Sequence, residues 1–514
     1  MAKAQKNRAS KQAYVSPTQT ILEGFETPFH KTLDPSNRWV VKAQKIPWDM
    51  LVSVYTSRMH NCQTGADGIN PRVAIGAMII KHTCNLDDRE TVQQIRENIY
   101  MQYFIGYSSF SNEAPFDPSL FVDFRKRLGM EQINDINEKI VKLSQQNNPI
   151  ERERETPQKQ KENDDTDNTP PAIEQPAHNG KVIVDATACP QDISYPTDLN
   201  LLNDAREKSE ELITALFAKT TLVKKPRTYC QRARKLYLQT AQKKNKSKKE
   251  IRSAIKKQIG FLRRNITHLH TLLDQFHNIP LNKHQYKYLL VIQTLYEQQN
   301  QMYQTKTHSI AHRIVSIHQP HVRPIVRGKT NANVEFGAKI NVSLMNGFVF
   351  LDDLQWEAYN EGTRLKSTVE KYKQRFGYYP KQVLADKIYC TRDNRMWLKG
   401  LGIELRAKPL GRPTAVSAEH VSPGERNPIE GKFGQAKTAY GMNRIKARLS
   451  QTSQSWIATI IMVLNLVKLT GQVPFCLLVN GLTLTARCIV DLLMQLHKQY
   501  LKSENQNTQM FRLT

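Results

Sequence analysis

Apolar residues in the first third of the chain recur at helical spacing between clear start and stop signals. Asn70-Pro71 offers an N-cap and an N1 proline ahead of Val73, Ile75, Met78 and Ile79. Asp87 with Glu90 reads as a capping box for Val92, Ile95 and Ile99, and Gly106 supplies a stop. Asp117-Pro118 opens a shorter helix, Leu120 to Leu128, closed by Gly129. Ile133, Ile136 and Ile140 give a last apolar stripe. Residues 40–145 are expected to form an all-helical domain behind a basic tail, 1–39.

From Gln146 to Gly180 large apolar residues nearly vanish while Pro, Glu, Asp, Gln and Asn accumulate, a composition that predicts a disordered linker. Lys181-Val-Ile-Val-Asp185 then reads as a short buried strand ending in a carboxylate. A long helical stretch follows. Ile255, Ile259, Leu262, Ile266, Leu269, Leu273 and Phe276 alternate by four and three, a coiled-coil seam. Asn278-Ile-Pro280 interrupts it and Tyr286 to Met302 resumes it, so residues 199–321 are expected to be a helical hairpin inserted after the first strand.

Strand patterns return at Glu335 to Leu344 and Phe348 to Leu354, joined at Asn346-Gly347, a strong hairpin signal. Thr363 to Phe376 is an amphipathic helix with Gly377 as its stop. Gln382 to Asp386 is a second strand ending in a carboxylate, Thr391 to Leu398 a helix, Ile403 to Ala407 a strand and Pro428 to Leu449 a cation-rich helix. The expected class is α/β. Residues 181–198 and 322–475 form its core, with a helical tail over 476–514.

Composition sharpens this picture. The chain has 514 residues and 74 Lys plus Arg against 47 Asp plus Glu, a net charge of +27, which points to a polyanionic partner. From Lys224 to Arg264 there are sixteen Lys and Arg and one acid, Glu250. Ordinary exposed helices mix signs, so DNA contact is expected along this arm. Seven Cys without a close pair argue against a disulfide-built secreted protein. The start lacks the apolar core of a signal peptide. The apolar run Trp456 to Leu469 is broken by Asn465 and Lys468 and falls short of a bilayer span. A cytoplasmic, nucleic-acid-handling protein with no membrane partner is expected.

With the insertion set aside, two strands end in Asp185 and Asp386, and a helix carrying Glu430 follows. Three carboxylates from separate elements suit hard cations such as Mg²⁺, which require oxygen ligands, and can hold two ions for in-line displacement at a phosphodiester. Arg426 lies four residues before Glu430 and Lys437 seven after it, so all three share a helix face that suits a phosphate backbone. Arg323, Arg327 and Lys329 lead into the strand hairpin, and Lys432 and Arg444 add cations around the helix; all are expected DNA contacts.

GKVIVDATACPQDISYPTDLNLLNDARE, RPIVRGKTNANVEFGAKINVSL, VLADKIYCTRDN and RNPIEGKFGQAKTAYG resemble the DDE transposases of bacterial insertion sequences, in particular the insertion sequence five group of the insertion sequence four superfamily. FDPSLFVDFRKRLG resembles the N-terminal helical DNA-binding domain of those enzymes. The family spacing Arg, three residues, Glu, six residues, Lys is met by Arg426, Glu430 and Lys437. One position departs: Pro423 stands where the family often has a tyrosine. The resemblance implies a ribonuclease-H-like core with Asp185, Asp386 and Glu430 as catalytic, metal-binding acids. It implies Mg²⁺, two ions with Mn²⁺ as a substitute, and double-stranded DNA as partner, both element ends and target. Because two ends must be synapsed, a homodimer in a synaptic complex is expected, in a bacterial cytoplasm at the nucleoid. The competing readings are a ribonuclease-H-like structure-selective nuclease and a domesticated, non-catalytic DNA-binding protein.

Other ligand-type residues read as buried helical packing or, for the later histidines, as DNA or packing contacts. His60-x-Cys62 and His82-x-Cys84 lack finger spacing, and His308, His312, His318 and His321 have no HExxH carboxylate. Asp192 and Asp198 could replace Asp185, yet neither follows an apolar strand.

Overall fold

The computed structural model describes residues 32–57, 68–146, 178–326, 334–407 and 423–471. The expected linker and the N- and C-terminal tails fall almost wholly outside these residues. Among the described residues seven α-helices come first: α1 (Arg38–Lys45), α2 (Trp48–Thr56), α3 (Pro71–Thr83), α4 (Asp88–Glu97), α5 (Ile99–Phe104), α6 (Phe121–Arg127) and α7 (Met130–Gln146). Their caps follow the polar punctuation. Asn70 accepts from the Arg72 N–H ahead of α3, and Asp87 accepts from the Glu90 N–H at 2.8 Å ahead of α4. Glu90 does not return the bond that would complete a capping box; its side chain accepts from Gln94 at 2.9 Å.

The sheet contains β1 (Lys181–Pro190), β2 (Arg323–Val326), β3 (Val334–Met345), β4 (Phe348–Gln355), β5 (Gln382–Leu384) and β6 (Glu404–Arg406). β3 is antiparallel to β1, β2 and β4, whereas β5 and β6 run parallel to β1. The hairpin turn is the one its dipeptide demands: Asn346 and Gly347 take φ of 47° and 76°, both left-handed. β1 differs from expectation. It continues to Pro190 because β3 pairs with it from Ile183 onward, so Asp185 lies mid-strand rather than at a strand end.

Between β1 and β2 stand α8 (Asp198–Phe217), α9 (Cys230–Ala241), α10 (Lys248–Leu273) and α11 (Lys283–Thr305). The insertion is thus a four-helix assembly, not a two-helix hairpin. The heptad seam of α10 packs mainly on α8, with Leu262, Leu269 and Leu272 meeting Leu202, Ile213, Leu216, Ile292 and Leu295 in one apolar core. A seam specifies an apolar face but not which helix fills it, and α8 supplies a matching one.

The last described elements are α12 (Leu365–Phe376), α13 (Arg392–Gly400), α14 (Asn427–Thr438) and α15 (Ser450–Gly471). α14 stops well before Leu449, since Gly441 takes a left-handed φ of 72° and Asn85 crowds the position a side chain would need. One face of the sheet, with Val182, Val184 and Val383, packs on Leu365, Val369, Tyr372 and Leu398 of α12 and α13. The other, with Ile183, Ile340 and Leu384, shares a core with α14, α15 and helices α1 to α7. α15 has the length and composition of a membrane span but is mostly buried against this core.

Candidate active site

Ile183 and Leu384 are register partners on the parallel strands β1 and β5 and are buried in the same core. Side chains alternate along a strand, so Asp185 and Asp386, each two residues on, continue these neighbouring rows on one face. β5 pairing ends at Leu384, so Asp386 lies just past the β5 ladder while β1 continues beside it to Pro190. α14 crosses this face and buries Ile429 and Ala436 in the shared core.

Arg426, the N-cap residue of α14, joins the two acids. Its Nη1 lies 3.2 Å from Asp386 Oδ1 and its Nη2 3.7 Å from Asp185 Oδ2. The turn before it is anchored by Glu425, which pairs with Lys181 on β1 at 3.5 Å and with Arg406 on β6 at 3.8 Å. Asp386 also accepts from the Lys387 N–H at 2.7 Å, and Asp185 from the Ala186 N–H at 2.8 Å. Burial pushes the Asp185 carboxyl up to about 6. The Ala186 N–H and Arg426 oppose that rise, while the negative charges of Glu361 and Asp386 add to it.

Glu361, a third acid near this pair, was not visible in the sequence. It sits on a short 3-10 turn, Glu361–Arg364, and pairs with Lys339 at 2.9 Å. Buried Asn394 ties that turn to the one after Asp386 by donating to the Gly362 carbonyl at 2.8 Å and the Tyr389 carbonyl at 2.9 Å. No apolar periodicity marks either turn, so only the Asn360 cap before Glu361 hinted at it.

Glu430 lies one helical turn after Arg426 and is exposed, with no hydrogen bond or ion pair among the described residues. Among the described residues no group of three or more His, Cys, Asp or Glu is placed to hold a metal ion. Asp185 and Asp386 thus gather around a guanidinium, and Glu430 stands apart from them. Lys432 and Lys437 are half-buried on α14, and burial lowers the Lys432 ammonium.

The remaining candidates are placed elsewhere. Arg444 is on the loop after α14 and pairs with Asp192 at 3.0 Å, while Asp198 pairs with Arg313 at 2.7 Å. Both alternative aspartates therefore have structural partners away from Asp185. Arg323 is turned inward, donating to Glu357 at 2.8 Å and to the Val322 carbonyl at 3.1 Å. Arg327, Lys329, His60 and Cys62 lie outside the described residues. His82 is buried with its ring against Trp456, and Cys84 caps α3. His308, His312, His318 and His321 face Asp198, Glu357, Tyr288 and Trp356 separately.

Residues 383–467 match the family described as transposase DDE domain, and residues 27–127 match the transposase domain DUF772. Both matches support a DDE transposase of the insertion-sequence type. The first holds Asp386, Arg426 and Glu430, and the second covers α1 to α6. Asp185 and the four-helix insertion lie in neither segment. The chain is also 28% identical over 177 residues to an uncharacterized protein, ORF8 in the nfe locus, of Rhizobium meliloti, spanning 34% of this chain and 73% of that relative. No solved structure matches it.

Proposed function

We propose that this protein is a DNA transposase that binds the terminal inverted repeats of an insertion sequence, cleaves there with Mg²⁺, and joins 3′-hydroxyl ends to target DNA. The observation that carries this reading is the meeting of Asp185 and Asp386 on one sheet face, beside the helix of Glu430. The sheet supports a ribonuclease-H-like reading of the core: antiparallel β4, β3 and β1 are followed by β5 and β6 parallel to β1.

The residues fit a hard divalent cation. The donors are all carboxylate oxygens: Asp185 is buried beside Asp386 and Glu361, with Arg426 between the two aspartates and Lys339 on Glu361. Asp185 and Asp386 would hold the ions, two Mg²⁺ or Mn²⁺, and Glu430, which stands apart from them here, would complete the set by closing on them. Such ions, when bound, lower the pKa of an attacking water or 3′-hydroxyl and stabilise the leaving 3′-oxygen. Arg426 is the residue at hand to neutralise a phosphate between the acids, and Lys432 and Lys437 extend positive charge along the same helix. End recognition is assigned to residues 40–145, and two copies would synapse two ends.

The test uses the purified full chain and one labelled element end. Asp185→Asn and Glu430→Gln are expected to keep end binding while losing cleavage and joining. Retained cleavage in both variants removes the assignment. Cleavage of branched DNA without joining favours the nuclease. Binding with no Mg²⁺-dependent chemistry favours a captured DNA-binding protein.

A further inference from the structure

The inserted arm carries the chain's densest positive charge, outside both segments that match transposase families. All sixteen Lys and Arg from Lys224 to Arg264 are exposed. The one acid among them, Glu250, is already engaged by Lys243 and by the Ser247 cap. Clustered like charges repel, and along this stretch a single acid, Glu250, stands against sixteen cations.

Their arrangement is regular. On α10, Lys249, Arg252, Lys256 and Arg263 are separated by three, four and seven residues, which puts them on one helix face. The opposite face, with Leu262, Leu269 and Leu272, is buried in the four-helix core. α10 has 26 residues. At about 1.5 Å per residue the stripe from Lys249 to Arg263 covers roughly 21 Å of its axis. One turn of duplex DNA advances about 34–36 Å, so the stripe can follow a little over half a turn. Arg252 is held in place over the Tyr303 ring at 4.2 Å and donates to the Tyr303 carbonyl at 3.0 Å. Tyr229 packs on Arg264 at 4.8 Å and pins the segment containing Lys224, Lys225 and Arg227 to α10.

We infer that the exposed cationic face of α10, with the basic segment before it, is a second duplex-DNA surface that grips phosphates independently of sequence and away from Asp185. A membrane-surface helix needs its apolar face free for lipid, and here that face is spent inside the bundle. Single-strand binding draws on exposed aromatic platforms. The stripe itself carries none. The inference rests on the preceding reading only for the choice of DNA as partner.

The test is binding of the full chain to a random-sequence duplex by fluorescence anisotropy, in EDTA, over a series of salt concentrations. Replacing Lys249, Arg252, Lys256 and Arg263 together by Gln should lower the slope of log affinity against log salt by about 3–4 and weaken binding at least about tenfold at low salt. Each single replacement should lower the slope by about 1, which keeps the test valid should the quadruple variant misfold. An unchanged slope and affinity in the single and quadruple variants overturns the inference. So does preference of the unsubstituted chain for anionic phospholipid vesicles or structured RNA over duplex DNA. EDTA separates this outcome from catalysis: a chain that grips duplex through the arm yet never cleaves with Mg²⁺ sinks the transposase reading alone. A chain that cleaves its ends with the salt slope intact in the variants sinks only the arm.

Discussion

Arg426 holds Asp386 by a 3.2 Å contact and reaches Asp185 at 3.7 Å, so one guanidinium occupies the position between the two acids best placed to take a cation. Family spacing alone marks Arg426 as a DNA contact. The geometry makes it also a competitor for any cation that the two acids would bind. Replacing it with Gln removes a positive charge that a divalent ion must otherwise displace. In the absence of DNA at pH about 8, Arg426→Gln is expected to bind Mg²⁺ or Mn²⁺ more tightly by titration calorimetry. The same variant should cleave more slowly by about 10²-fold, having lost a charge aimed at the phosphate. Weaker metal binding in the variant would show that Arg426 organises the acids rather than competing for them.

Asn394 couples the Glu361 turn to the Asp386 turn through its two carbonyl contacts. Replacing it with Ala strands two buried carbonyls, at a cost of about 2–3 kcal/mol in denaturant unfolding. The effect on chemistry should exceed the effect on binding, because Asp386 is the N-cap of the turn that Asn394 secures. End-DNA affinity is therefore expected to hold while the cleavage rate falls. Equal losses in both would assign Asn394 a purely structural role.

Much of this fold is legible wherever a local rule decides the outcome. Asn346-Gly347 fixes its hairpin because both residues must be left-handed, and Ile133, Ile136 and Ile140 mark a helix face that is wholly buried. Legibility fails where the deciding partner is remote. The heptad seam of α10 closes on α8, some fifty residues upstream, and nothing in its spacing selects that helix over α11. β1 runs past Asp185 because β3 pairs with it, a contact spanning more than a hundred residues. At the site, apolar strand patterns mark Asp185 and Asp386 locally. Their sharing of one face follows from the Ile183–Leu384 register, and the place of Arg426 between them from the Glu425 anchor.

Asn465 shows a sequence interruption with a structural cause. It breaks the apolar run of α15, and it is fully buried against β4. Its side chain accepts from the Val349 N–H at 2.8 Å, donates to the Val349 carbonyl at 2.7 Å, and donates to Asn137 at 3.0 Å. Asn465→Leu would extend the apolar run yet leave these buried groups unmatched. A loss of about 3 kcal/mol is expected in chemical denaturation, against the gain a hydropathy argument predicts.

Lys81 gives the pH dependence a sign. It is 1% exposed, pairs with Asp88 at 2.9 Å, donates to the Leu86 carbonyl at 2.7 Å and lies over the Trp456 ring at 4.5 Å. Burial pushes its ammonium down to about 8; Asp88 resists the shift and nearby Arg125 reinforces it. An unfolded lysine keeps its proton to about 10.4. Between these values the unfolded chain binds more protons than the folded one, so this residue makes folding more favourable as pH rises. The penalty is fully present below pH about 8 and is relieved towards pH about 10.4, an order-of-magnitude change of about 3 kcal/mol. In Lys81→Met that contribution is absent. Unfolding free energies measured from pH about 7.5 to 10.5 should therefore move in favour of the unsubstituted chain relative to Lys81→Met. A constant difference across that range would mean that Lys81 keeps an ordinary affinity for its proton despite its burial.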